Sequence, residues 1–139
     1  MRTKTWVFVA GMMVIYAAFT LLGGGGVEQR VTNLFETHQA ELAEQMTAYE
    51  ESGVLTGTEH WKNVTPWDGT HKMVEYTVTA AGDTYYGFYY SPDDVPLAFQ
   101  NTEATLTESD GGWVWQAEGD NHGRTYRLAE DWFYFEAAF

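Results

Sequence analysis

The stretch VEYTVTAAGDTYYGFYY, residues 74–90, is the part of the sequence that indicates a β-sheet most directly. Every second residue in each half of it is apolar: Val74, Tyr76, Val78, Tyr86, Phe88 and Tyr90. A period of two in β-branched and aromatic residues is typical of β-strands. Ala81-Gly82-Asp83 separates the halves with residues that favour tight turns. The stretch therefore predicts two antiparallel strands joined as a hairpin.

The C-terminal third of the chain repeats this pattern in shorter runs. Trp113 and Trp115 share one side of a segment, Tyr126 and Leu128 follow, and residues 132–135 form the last run. Turn residues separate the runs at positions 91–94, 110–112 and 119–123. Short connections of this kind imply antiparallel pairing, and the sequence predicts an antiparallel β-meander of about five to six strands.

Residues 27–51 predict one amphipathic α-helix. Apolar side chains recur at spacings of three and four: Val27, Val31, Leu34, Phe35, His38, Leu42, Met46 and Tyr49. The other face holds charged residues, among them Glu28, and Gly53 follows as a stop signal. The fold class is therefore α+β, with one helix packed across the meander.

An apolar run from Trp6 to Leu22 follows Arg2 and Lys4 at the N-terminus. Residues 1–22 predict either an uncleaved signal-anchor or a cleaved signal peptide. In both cases the positive N-terminus stays inside, so we expect a membrane-anchored domain outside the cytoplasm, or a secreted one if the signal is cleaved. Residues 23–26 are four glycines and predict a flexible linker. Residues 27–139 would then be a single extracytoplasmic α+β domain.

The charge limits the partners that the domain can have. The 139-residue chain has a formal net charge of −13, and five of its seven basic residues and all 20 acidic residues follow the glycines. Nucleic acids and anionic lipid surfaces would repel such a domain, whereas a basic protein partner or cations would suit it. The scarcity of Lys also suits a salt-rich habitat, so the charge reflects either habitat or function.

Neither a cofactor site nor a catalytic site is predicted. The chain has no Cys, which excludes disulfides, thiol nucleophiles and zinc–thiolate sites. Its four histidines have no metal-binding spacing, and we expect His38, on the apolar side of the helix, to be half-buried and satisfied by one hydrogen bond. No serine lies in a nucleophile-elbow motif. An enzyme is therefore less expected than a non-enzymatic protein.

The aromatic residues suggest where a ligand would bind. Residues 85–90 carry rings on both faces of one predicted strand, so the rings on one face need a covering loop or are exposed to a partner or a sugar. The candidate binding residues combine these rings with the acidic turn that follows: Tyr85, Tyr89, Asp93, Asp94, Trp113 and Trp115. Under this hypothesis, substituting Asp93 and Asp94 together weakens partner capture without unfolding the domain.

Two segments near the C-terminus resemble a known group of proteins. TYYGFYYSPDDVPLAFQ (84–100) and GGWVWQAEGDNHGRTYRLAEDWFYFEAAF (111–139) are similar to segments of small envelope proteins of Gram-positive bacteria, a group without an assigned activity. The resemblance implies an export signal followed by a helix and a β-sheet. Some members look like lipoproteins, and this chain departs from them because it lacks the cysteine. It implies location and fold, and no functional residue.

Three functions remain open on sequence grounds. The first is a membrane-tethered, extracytoplasmic protein-interaction module without enzymatic activity. The second is a module that binds cell-wall glycan or another polysaccharide by stacking sugars on Trp and Tyr. The third is a small hydrolase with a carboxylate pair or a His-containing site.

Overall fold

The computed structural model describes residues 26–139. The predicted signal segment 1–22 and the glycines at 23–25 lie outside the described residues. Gly26, assigned to the linker above, is the first residue of the helix. No helix in the described part of the chain is long and apolar enough to cross a membrane.

The described chain contains one long helix, α1, at Gly26–Ser52, and seven strands. The strands are β1 (Asn63–Trp67), β2 (Met73–Ala81), β3 (Thr84–Tyr90), β4 (Leu106–Ser109), β5 (Gly112–Gln116), β6 (His122–Ala129) and β7 (Trp132–Ala138). Two single-turn 3₁₀ helices occupy Thr58–His60 and Phe99–Asn101.

All seven strands form one antiparallel sheet with the order β1-β2-β3-β7-β6-β5-β4. The α+β class, with one helix on an antiparallel sheet, is confirmed. The sheet has seven strands and not the predicted five to six. It is not a simple meander, because β3 pairs with β7 and not with β4. Two meanders, β1–β3 and β4–β7, therefore meet at the centre of the sheet. The β3–β7 pair places Phe88 opposite Tyr134 there.

The two strands that the sequence did not predict are the edges of the sheet. β1 contains Pro66, which cannot donate to a strand ladder and is tolerated at an edge. β4 has four residues and is largely exposed, so Leu106-Thr107-Glu108-Ser109 has no apolar alternation to detect. Edge strands bury little, and their pairing is decided by the neighbouring strand more than by their own pattern.

The hairpin formed by residues 74–90 is confirmed, with Ala81 opposite Thr84 across its turn. The register shifts between Thr77 and Thr79, which makes Val78 a β-bulge. Gly87 is required beside the bulge, because a Cβ atom there would lie 2.0 Å from the Tyr76 carbonyl oxygen. The backbones of β2 and β3 thus approach closely at the centre of the sheet.

The predicted apolar side of α1 packs on one face of the sheet. Phe35 lies at the centre of this contact, with its ring centroid 5.4 Å from those of both Phe88 and Trp132. Every apolar position predicted for the helix is buried or half-buried. The helix ends as predicted, since Gly53 adopts a left-handed conformation (φ 75°) and donates its N–H to the Tyr49 carbonyl at 2.7 Å.

Glu28 is a correction to the predicted polar side of the helix, because it is buried. Its carboxylate accepts hydrogen bonds from Arg124 and, at 2.8 Å, from the Tyr126 hydroxyl. The Nε atom of Arg124 also lies 2.9 Å from Glu136. Burial raises the pKa of Glu28, and Arg124 and Tyr126 partly offset that rise. This polar cluster fixes the N-terminal end of α1 to β6 and β7.

The opposite face of the sheet is covered by residues 91–105, here called the covering segment. Leu97, Ala98 and Phe99 of this segment are buried against that face. Phe99 lies 5.4 Å from Phe135 between ring centroids. A loop therefore covers part of the aromatic surface on this face of the sheet.

Candidate binding site

A cleft of about 620 Å³ lies where the C-terminal end of α1 approaches the turn between β1 and β2 and the end of β3. We call it the acidic cleft. Its lining comes from these three places: Tyr49, Glu50, Gly53, Trp67, Asp68, Gly69, Thr70, Lys72, Met73, Val74, Tyr90, Pro92 and Asp93. The site exists because the β1–β2 turn and the end of β3 both project beneath the last turn of the helix.

Three half-buried aromatic side chains, Tyr49, Trp67 and Tyr90, contribute to the walls of the acidic cleft. Tyr90 also packs on Trp132 of the helix-covered face, with 5.1 Å between ring centroids. Half-buried rings of this kind present a flat apolar surface to a ligand and attract cations through the π face.

Three carboxylates line the same cleft. Glu50 accepts a hydrogen bond from the Tyr90 hydroxyl, and Asp93 lies 2.8 Å from Nδ1 of His71. Asp68 is exposed and forms no ion pair within residues 26–139. Lys72 is the one Lys or Arg among the described lining residues. The lining is therefore net negative.

The end of the helix adds to this negative potential. The last turn of α1 contains no basic residue, so the partial negative charge of its carbonyl groups is not compensated by its own side chains. Gly53 and Glu50 from this end both line the acidic cleft. Burial raises the pKa of Tyr90, and the adjacent Glu50 carboxylate raises it further. Tyr90 therefore remains a neutral hydrogen-bond donor to Glu50 at neutral pH.

A buried carboxylate lies behind the Trp67 wall. Glu75 on β2 is only 4% exposed, and it accepts hydrogen bonds from the Trp67 indole at 3.2 Å and from the Gln100 backbone N–H at 2.9 Å. No ion pair with Glu75 is present within the described chain. Burial raises the pKa of Glu75 to about 7, despite these two hydrogen bonds. Along β2, Glu75 alternates with Val74 and Tyr76, yet all three side chains are buried.

The four aromatic candidates from the sequence share one face, which lies under the covering segment. Tyr89 is fully buried, stacked on Phe133 at 5.3 Å, and its hydroxyl is hydrogen-bonded to Leu97 and Thr125. Trp115 is also buried, whereas Tyr85 and Trp113 are half-buried. None of the four lines the acidic cleft. Tyr89 and Trp115 belong to the buried core of this face.

The two acidic candidates have different positions. Asp93 is exposed at the rim of the acidic cleft. Asp94 is outside the cleft lining, has a left-handed backbone (φ 57°), and accepts hydrogen bonds from Arg127 at 2.7 Å and from the Asp131 N–H at 2.8 Å. Asp94 thus holds the start of the covering segment to the β6–β7 turn. Of the six candidates, only Asp93 lies in the cleft.

The other cleft residues carried no recognisable signal in the sequence. Glu50 resembled a solvated residue on the polar side of the helix, and Tyr90 resembled a core residue. Trp67 and Asp68 lie in a stretch that showed no regular pattern. These residues come together in the cleft because of the β1–β2 pairing and the position of the helix on the sheet.

A second groove, of about 750 Å³, lies at the other end of the sheet, and Trp115 is among its lining residues. Its charged residues are Arg124 and Glu136, which already pair with each other and, through Arg124, with Glu28. Because its one carboxylate is paired with its one guanidinium, the described lining of this groove is not net negative, unlike that of the acidic cleft.

The histidines are placed in three different environments. His38 is half-buried with Nδ1 2.9 Å from the Leu34 carbonyl oxygen, which confirms the single hydrogen bond expected for it. His122 bonds the Asp120 carbonyl within its own turn, and His71 pairs with Asp93. Within residues 26–139, no group of three or more His, Asp or Glu side chains is placed to hold a metal ion.

No family model, curated protein or solved structure matches this chain. The resemblance of residues 84–139 to envelope proteins therefore stays a prediction.

Proposed function

We propose that this chain is a membrane-tethered, extracytoplasmic interaction module without enzymatic activity, and that it captures a basic protein partner in the acidic cleft. The observation that carries the proposal is the joint placement of carboxylates and aromatic rings at the C-terminal end of α1. Each of these features favours a positively charged ligand, and they act on the same volume.

A lysine or arginine side chain of the partner suits this cleft. Its charged end can approach Asp68 and Asp93 at the rim, while its aliphatic part lies along Trp67. Lys72 opposes a cation at the same rim, so specificity would come from a ligand that keeps its charge on the Asp68–Asp93 side. The strongly acidic surface of the whole domain would speed the encounter.

Titration of the full-length chain with pentalysine by calorimetry tests the proposal. We expect the Asp68→Asn/Asp93→Asn double variant to bind about tenfold more weakly, since two partly exposed charge contacts contribute about 1 kcal/mol or somewhat more together. The matched control is Glu108→Gln/Glu118→Gln, which removes the same charge from two exposed positions outside the cleft. Equal losses in both double variants would show a non-specific charge effect and refute a cleft site.

The same variants test the natural partner. Tagged full-length protein would be purified from cross-linked native membranes, and the co-purifying proteins identified by mass spectrometry. We expect one dominant basic partner, which is lost in Asp68→Asn/Asp93→Asn and retained in the control double variant. A partner retained by both would place the interaction elsewhere on the surface.

The membrane tether requires its own experiment, because it depends on residues outside the described range. We expect the full-length protein to stay in the membrane fraction after alkaline extraction, with its C-terminal domain accessible to protease from the outside. N-terminal sequencing then separates a signal-anchor from a cleaved signal. A protein found in the cytoplasm would overturn this part of the proposal.

Glycan binding is the second candidate, and the position of Trp67 and Tyr90 beside carboxylates favours it. Sugars stack on aromatic rings and donate hydroxyl hydrogen bonds to acidic side chains. We would titrate cell-wall fragments and follow tryptophan fluorescence in the wild type and in Trp67→Phe. A shift that disappears in Trp67→Phe would favour the glycan over the basic protein, and an unchanged spectrum would exclude it.

A further inference from the structure

Glu75 connects two parts of the molecule that are separate in sequence. One carboxylate oxygen accepts the hydrogen bond from Trp67 in the wall of the acidic cleft, and the other accepts the one from Gln100 in the covering segment. Next to this contact, the Asn101 side-chain amide donates to the His71 carbonyl at 2.7 Å. The covering segment therefore holds the β1–β2 turn in place through residues that surround Glu75.

The turn that covers Glu75 is conformationally unusual. Gln100 and Asn101 both have left-handed backbones, with φ near 56° and 57°. Neighbouring non-glycine residues in this region are uncommon and persist only when their surroundings hold them. The contacts that hold them are the hydrogen bonds to Glu75 and to the His71 carbonyl.

Within residues 26–139, no cation forms an ion pair with Glu75. β1 contributes the Trp67 indole, the covering segment contributes the Gln100 amide, and β3 contributes Tyr89, its register partner. Tyr89 is the titratable group among these, and burial keeps its pKa far above neutral. Arg127, on the same face of the sheet, is paired with Asp94. An ionised Glu75 is therefore a buried charge that only two neutral donors stabilise.

We propose that Glu75 is a proton-controlled switch, which keeps the covering segment and the Trp67 wall closed while its carboxyl group is neutral and favours their opening when that group ionises. A buried charge without a cation is relieved when water reaches it, and water can reach Glu75 only if the covering segment or the β1–β2 turn moves away. A neutral carboxyl group retains acceptor capacity for its two donors and carries no such cost.

The two pKa values of Glu75 set the direction and the upper limit of the pH effect on opening. The closed state has a Glu75 pKa of about 7, whereas a solvated carboxyl group titrates near 4.5. Between these values the closed state binds the proton more strongly, so raising the pH favours opening. The population of the open state rises by at most about 300-fold across this range. The switch concerns regulation of the acidic cleft, and its consequence for binding rests on the proposed function.

Hydrogen exchange of the full-length chain, measured by NMR between pH 6 and 8.5, tests the switch without any ligand. After correction for the intrinsic exchange rate, we expect protection of the Gln100 amide and the Trp67 indole to fall by about tenfold, the limit that linkage sets over this pH range. Both groups should stay less protected than the Phe88 amide under the helix, which would show that they exchange by local opening and not by global unfolding. Glu75→Gln should remove the fall with pH. His71→Gln should retain it, because the His71 ring bonds Asp93 and not Glu75.

A second measurement keeps the proposal testable if Glu75→Gln does not fold. The carboxyl carbon shift of Glu75 in the wild type should titrate with a midpoint near 7, and the Gln100 and Trp67 signals should follow the same midpoint. A midpoint near 4.5, or unchanged protection across the pH range, would overturn the switch. Binding of pentalysine is a separate readout, so an intact switch without binding would refute the proposed function alone.

Discussion

On one face of the sheet, a 27-residue helix lies across the strands with apolar side chains at regular spacing. On the other face, the covering segment crosses the strands with only a single helical turn, Phe99–Asn101, and with three non-glycine residues in the left-handed region. Phe35 anchors the first layer by contact with two rings. The second layer relies on Ser91, Asp94, Leu97 and Gln100, each hydrogen-bonded to the body of the protein.

The two layers are stabilised in different ways. A helix satisfies its own backbone, so its packing needs only an apolar face. An irregular segment leaves backbone groups unpaired, and the sheet beneath it must supply buried polar partners. Glu75 and Tyr89 are buried polar residues of this face that bond the covering segment, and Thr125 bonds the Tyr89 hydroxyl.

Phe35→Ala should have the largest effect, because it removes the central contact of the helix layer. We expect a loss of about 3–5 kcal/mol in the free energy of unfolding, the usual cost of deleting a buried phenylalanine. Guanidinium unfolding followed by circular dichroism measures it. The control Glu36→Ala, at an exposed helix position, should change stability by about 0.5 kcal/mol or less. A small loss in Phe35→Ala would mean that the helix is held mainly by its polar end.

The pH dependence of stability should reveal the polar layer. Glu75 has a pKa of about 7 in the folded protein and near 4.5 when exposed, so the folded state holds the extra proton between these values. Its contribution to stability is therefore present at low pH and falls by about 3 kcal/mol as the pH rises through 7. The raised pKa of Glu28 acts in the same direction.

Unfolding of wild type and Glu75→Gln, compared from pH 4.5 to 8.5, isolates the Glu75 term. We expect the free energy of unfolding of the wild type to fall with pH relative to that of the variant. Parallel curves would show that Glu75 is solvated or that its charge is compensated.

Tyr89→Phe should have an intermediate effect on the covering segment. The substitution leaves the Leu97 N–H without its acceptor in a buried site, and we expect a loss of about 1–3 kcal/mol. Tyr85→Phe is the matched control, since Tyr85 is half-buried on the same face and its hydroxyl makes no hydrogen bond within residues 26–139. Thermal unfolding of both variants checks the comparison, and similar melting temperatures would contradict it.

The two neighbouring aspartates should separate structural from surface roles. Asp94→Asn weakens the contact with Arg127, and we expect it to cost about 1 kcal/mol. Asp93→Asn should be nearly neutral for stability, because Asp93 is exposed, but it should weaken pentalysine binding. Denaturation and calorimetry on each single variant measure both quantities. A larger stability loss in Asp93→Asn than in Asp94→Asn would reverse the assignment.

The sequence by itself determined the regular parts of this protein. The three-and-four spacing of residues 27–51 and the alternation in residues 74–90 report burial on one side of a helix or strand, and such local periodicity needs no knowledge of neighbours. The stop at Gly53 and the turn at Gly82 were visible for the same reason, because glycine marks a backbone conformation directly.

Only the tertiary structure decided the sheet order, the edge strands and the site. Pairing of β3 with β7 joins residues about 50 positions apart, and no local pattern encodes that choice. The same pairings buried Tyr89, Trp115 and Glu75, and they left Asp93 at a rim beside Glu50 and Asp68. A binding site assembled from a helix end and two turns depends on long-range geometry, whereas a helix or a hairpin depends on its own residues.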